Sequence, residues 1–201
     1  MLEFREVALR DIKDFIEQNH YTGSVNGCKV SKCYAIFSNE KIVGAALYGG
    51  VSTTSWKRYV EKEGELLELR RLVTTDKQKN LLSKFVSWSI RRVKKEGYKM
   101  LISYADPYHE HIGYIYQATN WYYAGQTNKD TIVITPEGKQ YHSRAMRTKY
   151  NGQLKPFAAR LQDLYEKGML TFKTVPGKHI YTYNLRGRQK SNPEKYPKEI
   201  T

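Results

Sequence analysis

Hydrophobic positions recur along this chain at two spacings, roughly 3.6 and 2 residues, and the changes between them predict its elements. Val7, Ile12, Phe15 and Ile16 lie on one helical stripe, so the chain should open in a helix, broken at His20-Tyr21-Thr22-Gly23-Ser24. Two strand-like runs follow, Lys32 to Phe37 and Ile42 to Tyr48, with Ser38-Asn39-Glu40 as their turn. Gly49 to Gly64 is polar and reads as a loop. Leu66 to Val73 alternates as a third strand, with Leu67, Leu69, Arg71 and Val73 on one face and Leu66, Glu68, Arg70 and Leu72 on the other. Leu82, Phe85, Val86, Ile90 and Val93 mark a long helix, with Arg91, Arg92, Lys94 and Lys95 at the end where cations suit the dipole, and Gly97 stops it. Met100 to Tyr104 is a short apolar strand and His109 to Thr119 a second helix. Trp121 to Gly125 and Thr131 to Thr135 read as the closing strands, Phe157 to Tyr165 as another helix ended by Gly168, and His179 to Leu185 as a final strand. Alternating strands and helices imply an α/β sheet.

Composition adds a partner to this picture. The 201 residues, 40% hydrophobic, suit one ordinary domain with room for an extension. The formal net charge is +14, which favours a polyanion partner over a merely solvated surface. Seventeen tyrosines add stacking faces with polar tips. No run approaches the apolar length of a membrane span and the opening residues lack a signal-peptide core, so no membrane partner and a cytoplasmic location are expected. Cys28 and Cys33 are too few for a disulfide framework or a four-thiolate zinc site.

Two segments are more specific. One is Glu68-Leu69-Arg70-Arg71-Leu72-Val73, before the long helix. The other is Ile102-Ser103-Tyr104-Ala105-Asp106-Pro107, followed by His111-Ile112-Gly113-Tyr114-Ile115-Tyr116-Gln117-Ala118-Thr119-Asn120-Trp121-Tyr122-Tyr123-Ala124-Gly125. The order strand, helix, strand, helix, strand resembles the second half of a GNAT-type acyltransferase, in which a tyrosine near the end of the last helix lies five residues before an aromatic. Tyr116 and Trp121 have that spacing. The combined motifs are more specifically similar to the Mom proteins of bacteriophages, clearly from Glu68 to Gly125 and weakly back to His20. The resemblance implies a GNAT-like mixed, mostly antiparallel sheet flanked by helices, with a C-terminal extension. On that reading residues 1–150 form the catalytic domain, 151–185 an extension packing on it or contacting DNA, and 186–201 a basic disordered tail.

The resemblance implies a role for several residues. Tyr116 is the candidate acid that protonates a departing thiolate; its alternative is a tyrosine packed on an amphipathic helix. Arg71 would bind a phosphate or acyl carbonyl, or else pair with an acid such as Asp106. Asp106 ends a strand at the edge where α/β sheets place ligands, as base or orienter, or else caps the turn before Pro107. Tyr104 and His20 complete the catalytic candidates, His20 being otherwise an exposed loop histidine. An acyl donor such as acetyl-CoA would lie against Leu72, Val73, Lys77, Lys79 and Asn80, although this stretch lacks the glycine-rich loop by which GNAT enzymes hold the pyrophosphate at a helix N-terminus. The family's association with iron makes His20, Asp106, His109 and His111 candidate ligands, His109 and His111 being poorly spaced for one helical face. Trp56, Lys57, Arg58, Tyr59, Arg144, Arg147 and Lys149 are candidate DNA contacts, or a solvated charged surface.

The expected activity is conversion of adenine in duplex DNA to a carbamoylmethyl derivative that protects phage DNA from restriction, by a monomer or homodimer. The exocyclic amine is a weak nucleophile buried in the duplex, so the base must be flipped out. Simple aminolysis of acetyl-CoA gives an acetamide, so the family's product needs a further source of amide nitrogen. The alternative is an ordinary GNAT acetyltransferase acting on a small-molecule or protein amine, against which the missing glycine loop counts. A non-catalytic DNA-binding module would make Tyr116 and Asp106 dispensable.

Overall fold

The computed structural model describes residues 1–51, 54–187 and 196–198, without the side chains of 54 and 55. In chain order the elements are β1 (Leu2–Glu6), α1 (Leu9–Asn19), β2 (Lys29–Ser38), β3 (Lys41–Gly50), β4 (Leu66–Thr74), α2 (Leu81–Lys95), β5 (Met100–Ala105), α3 (Tyr114–Ala118), β6 (Tyr122–Gln126), β7 (Asp130–Ile134), β8 (Gln140–His142), β9 (Lys149–Tyr150), β10 (Gln153–Leu154), α4 (Pro156–Glu166), β11 (Thr171–Val175) and β12 (His179–Asn184). They form two compact units. One comprises Met1–Gly125 with the described residues from His179 onward; the other is Gln126–Lys178.

The first unit is built on a seven-stranded sheet in the order β1-β2-β3-β4-β5-β12-β6. β1 to β4 pair antiparallel, β4 and β5 are parallel, and β12 returns antiparallel to β5. The mixed, mostly antiparallel sheet flanked by helices is as expected. The β2–β3 turn puts Asn39 and Glu40 at φ 47° and 61°, the left-handed pair of a tight hairpin. On one face α1 buries Ile12 and Ile16 against Cys33, Ala35, Ala45 and Leu47. Asp11 accepts a hydrogen bond from the Ala8 N–H at the start of α1 (2.9 Å). A larger core gathers Tyr34, Tyr48, Leu67, Phe85, Val93, Trp121 and Tyr181, including the apolar stripe of α2. Each of the large apolar side chains of that stripe contributes roughly 1.5–3 kcal/mol on burial.

The structure corrects the sequence reading in five places. β1 precedes the first helix: Leu2 and Phe4 pack inward, but the strand is short and its alternate residues are charged. The second helix is only Tyr114–Ala118, because Glu110 (φ 61°) and Gly113 (φ 87°) take left-handed conformations that interrupt it. The segment Thr131–Thr135 does not close the main sheet; β7 is the centre of a separate three-stranded sheet, β11-β7-β8. The boundary drawn at residue 150 falls inside the second unit, and β12, assigned to an extension, lies between β5 and β6.

The fifth concerns the tail. Of the residues expected as a disordered tail, 188–195 and 199–201 lie outside the described ones. Tyr196 donates to the Trp121 carbonyl (2.6 Å) and stacks on Tyr181, while Gln117 Nε2 donates to the Pro197 carbonyl (3.3 Å). An aromatic anchor in an otherwise charged stretch therefore docks beside α3.

Candidate active site at the parting of β4 and β5

β4 and β5 are paired only at Leu66–Glu68 against Met100–Ile102. Beyond that point the two parallel strands part, and a cleft of ≈ 250 Å³ opens over their carboxyl ends. It is lined by Leu69, Arg70 and Leu72 of β4, by Tyr104, Ala105 and Asp106 at the end of β5, by Tyr116 of α3, and by His20 and Tyr21 after α1.

A β-bulge shapes the β4 wall. Leu47 pairs with Arg71 and Tyr48 with Leu69, so Arg70 is an extra residue with no partner in the β3 register. The bulge reverses the alternation that the sequence suggested. Leu67, Leu69 and Leu72 face the core containing α2, whereas Val73 packs with the α1 core. Arg71 follows Val73: its Nε donates to the Ser24 carbonyl (3.0 Å) and its Nη1 to the Arg70 carbonyl (2.7 Å). The guanidinium expected to bind an anion thus braces the segment carrying His20 and Tyr21, and no Asp106 pair is needed. Arg70 instead lines the cleft, held by the Gly50 carbonyl (2.7 Å) and by Glu68 (3.1 Å) in a largely buried ion pair. Glu68 and Arg70 were read only as partners on a strand face; a bulge leaves no mark in a hydrophobic pattern this short.

Across the gap runs a chain of hydroxyls. Ser103 Oγ lies 2.8 Å from the Leu69 carbonyl and 2.7 Å from the Tyr116 hydroxyl. A carbonyl only accepts, so Ser103 gives its single proton to Leu69, and Tyr116 donates to Ser103. Tyr116 is buried between Trp121 (5.1 Å between ring centroids) and Tyr181 (5.0 Å). Burial pushes its phenol well above the ordinary tyrosine range, and the Ser103 hydrogen bond partly opposes this. The proton is therefore retained at neutral pH. Ser103 was not singled out in the sequence, since an isolated serine in an apolar strand carries no signal of its own.

The other candidates fall around this chain. Asp106 is buried and accepts from the Tyr108 N–H (3.1 Å), so the turn-capping role weighed for it is realised at the cleft edge. Tyr104 lines the cleft and packs with Trp56, Tyr59, Val51, Leu66 and Ile102; burial, then the nearby Glu68 carboxylate, push its phenol up to about 12. The rings of Trp56 and Tyr59 are thus half-buried, while Lys57 and Arg58 are exposed with no acidic partner among the described residues. Arg144, Arg147 and Lys149 lie in the second unit.

Tyr21 stands out at the cleft's flank. Its ring packs on His20 and His109, each 4.4 Å away, and on His111 at 5.2 Å, and 42% of it is exposed. Each imidazole thus rests on the Tyr21 ring, and no three His, Cys, Asp or Glu side chains among the described residues are placed to hold a metal ion. His20, Asp106, His109 and His111 therefore do not fit iron.

His20 accepts the Thr22 N–H at Nδ1 (3.2 Å). Burial, then the charge of Arg71 and the neighbouring His111 and His109, lower its pKa to about 4. Because the folded value lies below the unfolded one of about 6.5, unfolding takes up a proton between those values, and stability falls as pH drops through that window. Chemical denaturation at pH 7 and pH 4.5 should show a smaller acid loss in His20→Asn than in the wild type. Equal losses would remove His20 from the acid response.

At the α2 N-terminus, Asn80 takes the left-handed conformation (φ 62°) that glycine usually supplies, and Lys77 and Lys79 are exposed beside it. Asp76 is turned to the Gln78 N–H (2.8 Å). The first-turn N–H groups and the two lysines suit a phosphate group, while Leu72 lines the cleft and Val73 does not.

A mixed sheet whose two parallel strands part beneath a tyrosine-bearing helix defines the GNAT fold. The fold is similar to that of an N-acetyltransferase from Staphylococcus aureus Mu50, with TM-score 0.51 and 15% identity over 92% of this chain and 99% of that one. It is similar to a Bacillus subtilis acetyltransferase solved in complex with CoA (TM-score 0.50, 10% identity, 91% and 97% covered). The ribosomal-protein-S18-alanine N-acetyltransferase from Escherichia coli matches similarly (TM-score 0.50, 12% identity, 98% and 99% covered). The model of the Mom protein family matches residues 1–199, and the chain belongs to that family. A comparison with curated protein sequences returned no match. Among the described residues no helix is long and apolar enough to cross a membrane.

Proposed function

We propose that the protein transfers an acyl group from a CoA thioester to the exocyclic amine of adenine in duplex DNA, the first stage of carbamoylmethyl modification that shields phage DNA from restriction. The observation that carries this reading is the buried Tyr116–Ser103–Leu69 chain in the cleft between the parted strands, in a member of the Mom family. A bound thioester supplies an activated acyl carbon. As the C–S bond breaks and the N–C bond forms, Tyr116 gives its proton to the sulfur, and the Ser103 hydroxyl turns from the Leu69 carbonyl to the phenolate oxygen. The amine proton leaves to Asp106, directly or through water. Arg70, the extra residue of the bulge, would offer its N–H to the carbonyl oxygen as charge develops there. Lys77, Lys79 and the first turn of α2 would hold the donor's phosphates.

On the acceptor side, Tyr21, partly exposed among its three imidazoles, would form an aromatic wall against which a flipped base packs. Lys57 and Arg58 contact phosphates, so duplex affinity should fall steeply as salt rises. These roles cover acyl transfer alone, which leaves the adenine nitrogen on a carbonyl carbon. A carbamoylmethyl group carries it on a methylene, so that product requires both an amide-nitrogen donor and a later exchange of the carbon bonded to the adenine nitrogen. Mass spectrometry of nucleosides from the DNA of cells expressing the protein should reveal a modified deoxyadenosine that is absent from cells carrying Tyr116→Phe. Unmodified deoxyadenosine in cells containing the folded wild type would sink this reading and favour acetylation of another amine.

A further inference from the structure

The second unit carries an open groove of ≈ 790 Å³ of its own. Its walls include Met146, Arg147, Gln162, Tyr165, Glu166 and Phe172. The Tyr165 and Phe172 rings meet edge to face at 5.8 Å, and the two residues remain 57% and 46% exposed. These are costly residues to leave in water without an occupant. They sit on elements whose other faces are satisfied: α4 buries Ala158, Leu161 and Leu164, and β11 is hydrogen-bonded to β7.

The polar groups select the occupant. Between Gln126 and Lys178 there are ten Lys or Arg and four Asp or Glu, an excess that suits a polyanion and disfavours an acid-poor apolar helix or a second copy of this basic chain. Arg160 and Lys167 are paired with Glu137 and Asp163, but Arg147 has no acidic partner among the described residues. Glu166 would repel a phosphate placed against it. It is an acceptor suited to the amino group of a base. Gln162 gives its Nε2 to the Met146 carbonyl (3.1 Å), which leaves its own carbonyl oxygen as a second acceptor.

We propose that this groove binds an unpaired stretch of a nucleic-acid strand. One base stacks on Tyr165 or Phe172, an amino-bearing base edge meets Glu166 and Gln162, and Arg147 holds a flanking phosphate. The site lies wholly within the second unit and goes beyond the acyl-transfer reading. It gives the protein a second nucleic-acid contact that reads single strands and prefers adenine or cytosine to thymine, which lacks an amino group.

The test uses the full chain and fluorescence anisotropy with labelled oligo-dA, oligo-dC and oligo-dT of equal length. The wild type should bind the first two about tenfold more tightly than oligo-dT, the discrimination that one good base-edge contact gives. Tyr165→Ala with Phe172→Ala should weaken all three at least tenfold, as loss of base stacking does. Glu166→Ala should erase the preference, and Arg147→Ala should lower the slope of log affinity against log salt by about one. The last two residues are exposed, so they report even if the aromatic double variant folds poorly. Wild-type affinity and preference in Glu166→Ala and Arg147→Ala would overturn the proposal. So would a dimer in solution that the aromatic substitutions dissociate while strand binding persists. Adenine modification is read separately, so the groove and the cleft can fail independently.

Discussion

Tyr116→Phe is expected to fold and to bind duplex DNA as the wild type does, while modifying adenine at least ~100-fold more slowly, the usual loss when a positioned general acid is removed. The phenylalanine ring keeps its packing on Trp121 and Tyr181, and Ser103 keeps its bond to the Leu69 carbonyl. Only the Tyr116–Ser103 hydrogen bond is lost, a change of about 1 kcal/mol. Ser103→Ala separates two roles for the tyrosine. If Ser103 steadies the phenolate, the rate should fall in that variant as well, with Tyr116 intact. If Tyr116 is only a core residue, neither substitution should alter turnover beyond its effect on stability. Modification at the wild-type rate by folded Tyr116→Phe protein would remove the tyrosine from the chemistry.

The second large effect concerns Gly113, which precedes α3. Its φ of 87° is strained for any residue with a side chain, and an added Cβ would lie 2.3 Å from the Tyr181 ring. That ring cannot easily retreat. It is fully buried, donates to the Ile112 carbonyl, receives Gln117 Nε2 and lies beside Tyr116. Gly113→Ala should therefore cost about 2–5 kcal/mol, the sum of a left-handed backbone and an overpacked core. That corresponds to a fall in Tm of roughly 5–15 °C. The surviving folded fraction should also lose turnover, because α3 and Tyr116 move together. A Tm within ~2 °C of the wild type would show that Tyr181 yields freely.

Much of the first unit can be read from the chain. Positions spaced for a helix placed α2, short strand-like runs placed β2 and β3, a short apolar run placed β5, and the motifs from Glu68 to Trp121 pointed to Tyr116 and Asp106. The failures have local causes. The bulge at Arg70 breaks an alternation that looks unbroken in Leu66–Val73, so Arg71 was assigned to the cleft and Arg70 was passed over. Gly113 and Glu110 shorten a helix whose composition gave no warning. The strands of the second unit have the same alternating pattern as those of the main sheet, and pattern alone does not say which strands pair. The resemblance places His20-Tyr21 together at the N-terminal part of the site, but the packing of Tyr21 on His109 and His111 depends on residues about 90 positions away, a separation at which no periodicity speaks.

The place of β12 has a consequence for how the protein is made. Translation must pass residue 184 before the strand between β5 and β6 exists, although both of its neighbours have been synthesised long before. Until then the inner edges of β5 and β6 are unsatisfied, and the Tyr181 wall beside Tyr116 is missing. An emerging chain therefore carries a half-built cleft with sticky strand edges, and non-local pairing of this kind closes slowly. Such a polypeptide lacks the complete cleft until its late residues arrive. A ribosome that stops within the second unit releases a product with neither the finished sheet nor the finished cleft, and one exposed to aggregation and proteolysis.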